Sequence, residues 1–121
     1  MSGVDLELKK AFTELQEKKV VTEQKLQISR IQIEALKRAK QHSVITEREI
    51  AGLEPVTKTF ESVGRMFILT PKDTVQENLK KKQNHAEEKI KTLETQMGYL
   101  ENSLKEATNS LRELVQQKKE S

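Results

Sequence analysis

The chain has 121 residues, of which 34% are apolar and 34% charged, whereas an ordinary globular domain is roughly 45–50% apolar and 25% charged, so a thick hydrophobic core is excluded. Cysteine is absent, which excludes disulfides and thiolate metal sites and suits a reducing compartment. The net charge of +3 is the balance of 22 basic and 19 acidic residues interspersed along the chain, the pattern of solvated helix surfaces rather than of a nucleic-acid-binding patch.

The opening Met1-Ser2-Gly3-Val4-Asp5 has no apolar run that suits a signal peptide. No later segment approaches the ~18 apolar residues that span a bilayer. The sequence therefore predicts a soluble, intracellular protein without a membrane span, in which the interspersed charges leave nucleic-acid binding a low-ranked reading. A first helical arm is expected over about 5–41, with Asp5 as its cap and Glu7 in its positive first turn. Its heptad seam passes through Leu8, Phe12, Leu15, Lys19, Thr22, Leu26, Ser29, Ile33 and Leu36, with polar residues that either fix register or tolerate partial exposure. A second apolar line, Val21, Ile28, Ile31 and Ala35, falls on the back of that helix. Either the register differs from the one drawn, or the arm touches something besides its own partner helix.

Thr46 followed by Glu49 has the form of a capping box, which predicts a short helix over 46–53 closed by Pro55. Helical periodicity then stops. The stretch Val56 to Leu69, VTKTFESVGRMFIL, carries β-branched and aromatic residues on either side of a turn at Gly64-Arg65 and reads as a β-hairpin. In its second strand Met66 and Ile68 point one way, Phe67 and Leu69 the other, so both faces are apolar. An isolated two-stranded hairpin is marginal in water, and its open edges invite further strands. This chain offers none, which predicts oligomerisation.

Thr70 is placed to cap the second arm, with Pro71 in the first turn, over about 71–117. Leu79, Ala86, Leu93, Leu100, Ala107 and Leu114 fill one inner heptad position, and Ile90, Met97, Leu104 and Leu111 the other, with Gln83 the polar exception. Two arms of similar length joined by a compact connector fold back as an antiparallel coiled coil, with both termini at one tip. At that tip Val4, Leu6, Leu8, Ala11 and Phe12 lie beside Leu111, Leu114 and Val115. They either close the end of the coil or touch other apolar chains.

Near the hairpin Lys37, Arg38 and Lys40 face Lys80, Lys81 and Lys82 as a basic collar, which reads as a solvated face. His42 and His85 stand on different arms with no Cys or carboxylate cluster at ligand spacing. Gly64 stands alone, without a phosphate-cradling loop. A coil this thin offers no pocket to desolvate a nucleophile. No enzyme activity, metal or cofactor is expected.

The order helix, hairpin with VGRMFIL, then a heptad helix with AEEKIKTLE and YLENSLKEA resembles the β-type subunits of the prefoldin family, as does the opening DLELKKAFTELQ. The likeness covers essentially the whole chain as one domain, 1–121, and is most specific over Val63 to Leu69 and the helix start that follows. Phe60 stands where the family more usually has Tyr, and Pro55 before the strand is a departure. The fold implied is mainly α, prefoldin-like: two long helices forming an antiparallel coiled coil, joined by a short helix and a single β-hairpin at 56–69. The resemblance implies a heterohexameric, ATP-independent co-chaperone of two α-type and four β-type subunits, whose hairpins build a double β-barrel from which six coiled coils hang. A single hairpin agrees with the β-type, since α-type subunits carry two.

Its implied partners are other prefoldin subunits, unfolded actin and tubulin, and the cytosolic chaperonin that receives them. On that reading Phe60, Val63, Gly64, Met66, Phe67, Ile68 and Leu69 assemble the barrel. Val4, Leu6, Leu8, Phe12, Leu111, Leu114 and Val115 contact client, and Val21, Ile28, Ile31 and Ala35 pack against neighbours beneath the barrel. The reading of a different class is a structural coiled-coil scaffold or tether that dimerises through its seam and recruits folded partners.

Overall fold

A computed structural model describes the backbone of residues 2–120 and the side chains of residues 6–120. Helix α1 spans Ser2–Ala51, strand β1 Thr59–Val63, strand β2 Met66–Thr70 and helix α2 Lys72–Glu120. Two long helices with one antiparallel hairpin between them are what the sequence predicts. The chain divides into two compact units, Met1–Ile31 with Leu93–Ser121, and Gln32–Thr92. Helix α1 begins upstream of Asp5, and the side chains of Val4 and Asp5 lie outside the described residues.

The separate short helix expected over 46–53 does not form, because α1 runs without a break to Ala51. Thr46 is not a cap: its hydroxyl donates to the His42 carbonyl at 2.9 Å, the i−4 bond of a threonine inside a helix. No Gly or Pro lies between Gln41 and Thr46 to stop propagation. The inner stripe also continues through Lys40, Ser43, Glu47 and Ile50, all buried or half-buried. Ser43 is 2% exposed and its hydroxyl donates to the Leu79 carbonyl of α2 at 3.1 Å. Burying that stripe outweighs the capping box. The helix ends where Gly52 and Pro55 follow, and the Gly52 amide closes onto the Arg48 and Glu49 carbonyls.

Thr70 does not cap α2 either. It closes β2, where its hydroxyl donates to the Ile68 carbonyl at 3.0 Å and its own carbonyl accepts from the Thr59 hydroxyl. The first helical bond runs from the Val75 amide to the Pro71 carbonyl, so Pro71 immediately precedes the helix, where a missing N–H costs nothing. Asp73 lies in the first turn, favoured by the helix dipole.

In the Gln32–Thr92 unit, Ile33, Val75 and Ala86 are buried with Ser43 and Gln83. Lys80 pairs with Glu47 at 3.6 Å and Lys40 with Glu87 at 3.8 Å, so rising numbers in α2 meet falling numbers in α1, an antiparallel pair. Gln83, the one polar inner residue of α2, donates to Glu47 at 2.6 Å. Satisfied in this way, a polar seam residue specifies register rather than leaving a buried amide unpaired.

In the unit of the chain ends, Thr22, Leu26 and Ser29 are buried against an α2 stripe of half-buried Leu93, Met97, Leu100, Leu104, Ala107, Leu111 and Leu114. Glu7 and Lys118 pair at 3.2 Å. The seam drawn through Phe12 and Lys19 is corrected here: both are exposed, and half-buried Ala11 takes the inner place between Leu8 and Leu15. Steps of three and four residues hold 8, 11 and 15 on one face, which turns Phe12 out by about 100°. Leu26, 5% exposed, is the largest apolar side chain buried in this unit. Leu26→Ala is expected to cost about 2–3 kcal/mol, seen as a fall of several degrees in the thermal midpoint followed by circular dichroism.

Candidate functional site

The hairpin pairs Phe60 with Leu69, Ser62 with Phe67 and Val63 with Met66 in antiparallel register. Residues opposite one another share a face, so Phe60, Phe67 and Leu69 stand on one side and Val63, Met66 and Ile68 on the other. The second face carries half-buried Thr59, Glu61 and Thr70 at its root, and the Asn78 amide of α2 donates to Glu61 at 2.8 Å. That bond ties the hairpin to α2 and the Thr59–Thr70 bond closes the strand ends, while the apolar residues of the hairpin stay uncovered. Phe67 is 75% exposed, Met66 64%, and Phe60, Val63, Ile68 and Leu69 are each about half exposed.

Gly64 turns the chain with φ of 62°, and Arg65 keeps a negative φ. Glycine first in a two-residue loop is the type II′ arrangement, whose twist suits paired strands. A Cβ at Gly64 would meet nothing within 4 Å, so the cost of a side chain there is backbone strain alone. Gly64→Ala is expected to destabilise the hairpin by about 1–2 kcal/mol, read as a lower thermal midpoint of the assembled protein with unchanged subunit stoichiometry.

The residues expected at the chain ends divide into two groups. Leu6 and Phe12 are 69% and 54% exposed. Leu8, Leu111, Leu114 and Val115 are half-buried, and Leu111 and Leu114 form one wall of a shallow apolar groove with Ala11 and Leu15. The closing layer of the coil and an exposed apolar edge thus occur together. Val4 lies outside the described side chains. The back-face residues Val21, Ile28, Ile31 and Ala35 are all exposed.

The sequence reading gave no role to Val20, Ile45, Leu53 and Tyr99, and none to Val56 beyond placing it in the hairpin stretch; all five are exposed as well. Val20 sits beside Val21 and carries the same periodic signal. Ile45 and Val56 adjoin the connector and fall outside any heptad that could mark them.

Four of the six cations of the basic collar are paired locally. Lys37 pairs with Glu34 at 4.0 Å and Lys81 with Glu77 at 3.5 Å, in addition to the Lys40 and Lys80 pairs above. Exposed pairs of this kind contribute about 0.2–1 kcal/mol each; their main consequence is to dilute the positive charge of the collar. Among the described residues no cluster of three or more His, Cys, Asp or Glu could hold a metal. No helix among them is long and apolar enough to cross a membrane. What the arrangement offers is apolar surface in three places: the hairpin, the chain ends and the outer side of α1.

A family model described as Prefoldin subunit matches residues 13–118. The chain is 53% identical over 112 residues to Prefoldin subunit 1 of Homo sapiens, covering 93% of this chain and 92% of that protein. It is 51% identical over 114 residues to Prefoldin subunit 1 of Mus musculus, covering 94% and 93%. Against Prefoldin subunit 1 of Arabidopsis thaliana the identity is 32%, covering 88% and 84%. Among solved structures, the prefoldin beta subunit from Thermococcus strain KS-1 shares the fold with a TM-score of 0.72 over 88% of this chain and 90% of that one, at 23% identity.

Proposed function

The chain belongs to the prefoldin subunit family, and we propose that it is a β-type subunit of a cytosolic heterohexamer that captures unfolded actin and tubulin chains and delivers them to the chaperonin without ATP. Family membership carries the co-chaperone role in a prefoldin complex. The observation that supports assembly is the hairpin itself, apolar and uncovered on both faces. Covering Phe67, Phe60 and Leu69 with strands of other subunits would contribute on the order of 1.5–3 kcal/mol per fully buried side chain. Exposed strand edges supply the main-chain hydrogen bonds for the same contact.

Capture would use the opposite property, contacts too weak to hold alone. Leu6 and Phe12, backed by the Leu111–Leu114 layer, each offer about 1 kcal/mol of apolar contact. Several subunits acting on one unfolded chain convert such contacts into firm binding by effective concentration, while each single contact still lets go quickly. That is how holding and release can both proceed without ATP.

The test is to dilute chemically unfolded actin into buffer with and without the complex reconstituted from this chain and its partner subunits, and to follow turbidity. Suppression at stoichiometric complex is the expected outcome. Aggregation at the rate seen in buffer alone would rule out the capture role.

A further inference from the structure

The outer side of α1 within the unit of the chain ends carries an anomaly that neither the coil nor the hairpin requires. With Thr22, Leu26 and Ser29 turned inward, the residues on the opposite side of the helix between 20 and 31 are Val20, Val21, Gln24, Gln27, Ile28 and Ile31. None is charged, in a chain that is 34% charged. The outermost face of a coiled coil is ordinarily its most charged one. Charge appears only at the margins, in Glu23, Lys25 and Arg30. Val20, Val21, Ile28 and Ile31 are each about half exposed, and Val20, Gln24, Gln27 and Ile28, with Glu23, line a shallow groove. An apolar centre cleared of charge is the composition of a contact surface.

Size and chemistry decide what covers it. Half of four aliphatic side chains amounts to a few hundred Å², well short of the roughly 800 Å² per partner of a stable interface between folded proteins. A folded arm laid along it would also bring a helix whose backbone groups are already paired, leaving Gln24 and Gln27 nothing to bond but side chains. An extended polypeptide is different, because its free N–H and C=O groups can take both amides while its apolar side chains meet the valines and isoleucines. We infer that the Val20–Ile31 face of α1 is a second client-binding surface, taking an extended, unfolded polypeptide segment with apolar side chains. It rests on the capture function proposed above and adds a subsite to it, in place of the neighbouring arm that the family resemblance implies for this face. Clients would be gripped along the arm as well as at its end, so the subsite adds avidity and favours longer unfolded chains.

The test uses the complete complex, with this chain either wild-type or carrying Val21→Ser, Ile28→Ser and Ile31→Ser together. All three positions are exposed, so the helix does not depend on them. The probe is fluorescent lactalbumin, reduced and carboxymethylated so that it stays unfolded. A rise in Kd of about three- to tenfold is expected, at unchanged complex mass. A photo-crosslinking residue in place of Gln27 is expected to capture the probe. Equal Kd for both complexes overturns the inference, and so does a Gln27 crosslink to another subunit accompanied by loss of complex mass, which assigns the face to assembly. A wild-type complex that binds no probe removes the capture function and this subsite together; a wild-type complex that binds the probe as well as the variant does removes the subsite alone.

Discussion

Phe67→Asp is expected to abolish incorporation of this chain into a complex with its partner subunits while leaving its helices intact. Phe67 is 75% exposed, so the chain alone loses almost nothing with it and its helical circular dichroism should be unchanged. In an assembled barrel the same position would be covered. The substitution then forfeits about 1.5–3 kcal/mol of burial and adds a buried carboxylate whose desolvation costs several kcal/mol more. A total above about 4 kcal/mol weakens association by roughly a thousandfold. Co-purification with tagged partner subunits reads the effect directly; normal recovery of Phe67→Asp would mean that this strand face is not the assembly surface.

The second large effect is expected from removing residues 1–12 and 111–121. The deletion takes away exposed Leu6 and Phe12 together with the half-buried Leu111, Leu114 and Val115. It leaves the hairpin and the whole Gln32–Thr92 unit, including the Ser43–Leu79 and Gln83–Glu47 bonds. Assembly should therefore persist at a correspondingly lower mass, and protection of unfolded actin should be lost, because contacts of about 1 kcal/mol each act only in concert. The milder pair Leu6→Ser with Phe12→Ser should reduce protection without shortening the coil. A truncated complex that still suppresses aggregation fully would move client contact elsewhere on the chain.

The difference between what was legible in the sequence and what was not has a physical basis. Helix α2 was readable because every inner position but one is a plain apolar residue at heptad spacing. Gln83, the exception, is buried with its amide bonded to Glu47. The hairpin was readable because a Gly-Arg turn between β-branched and aromatic runs has few other uses. Local start signals misled: Thr46 and Thr70 both have the residue type and spacing of caps, yet one sits inside a helix and the other closes a strand. A capping box contributes a local hydrogen bond or two, whereas continuing α1 buries Ser43 against α2 and half-buries Ile50. That comparison depends on a partner helix, which a local pattern does not contain.

The same reason hid the seam beyond Leu36. Lys40, Ser43 and Glu47 are polar or small, and only their partners Glu87, Leu79 and Gln83 reveal them as inner residues. At the chain ends Phe12 was assigned inward by carrying the heptad spacing of Leu15, Thr22 and Leu26 back to Leu8, while Ala11 takes the inner place. Of the surfaces with candidate roles, the hairpin and the back of α1 were marked by excess apolar residues. Gln24 and Gln27, which distinguish an extended client from a packed helix, carry no signal until the face around them is seen to lack charge.

The central claim is that this chain completes a discrete multi-subunit assembly through its hairpin rather than acting as a self-sufficient coiled-coil scaffold. It is tested most directly by co-expressing the chain with α-type and other β-type partner subunits and measuring mass by multi-angle light scattering. The account predicts a single heterohexameric species containing this chain, and none when the hairpin carries Phe67→Asp. A stable dimer of this chain alone, unchanged by the presence of the partners, would contradict it.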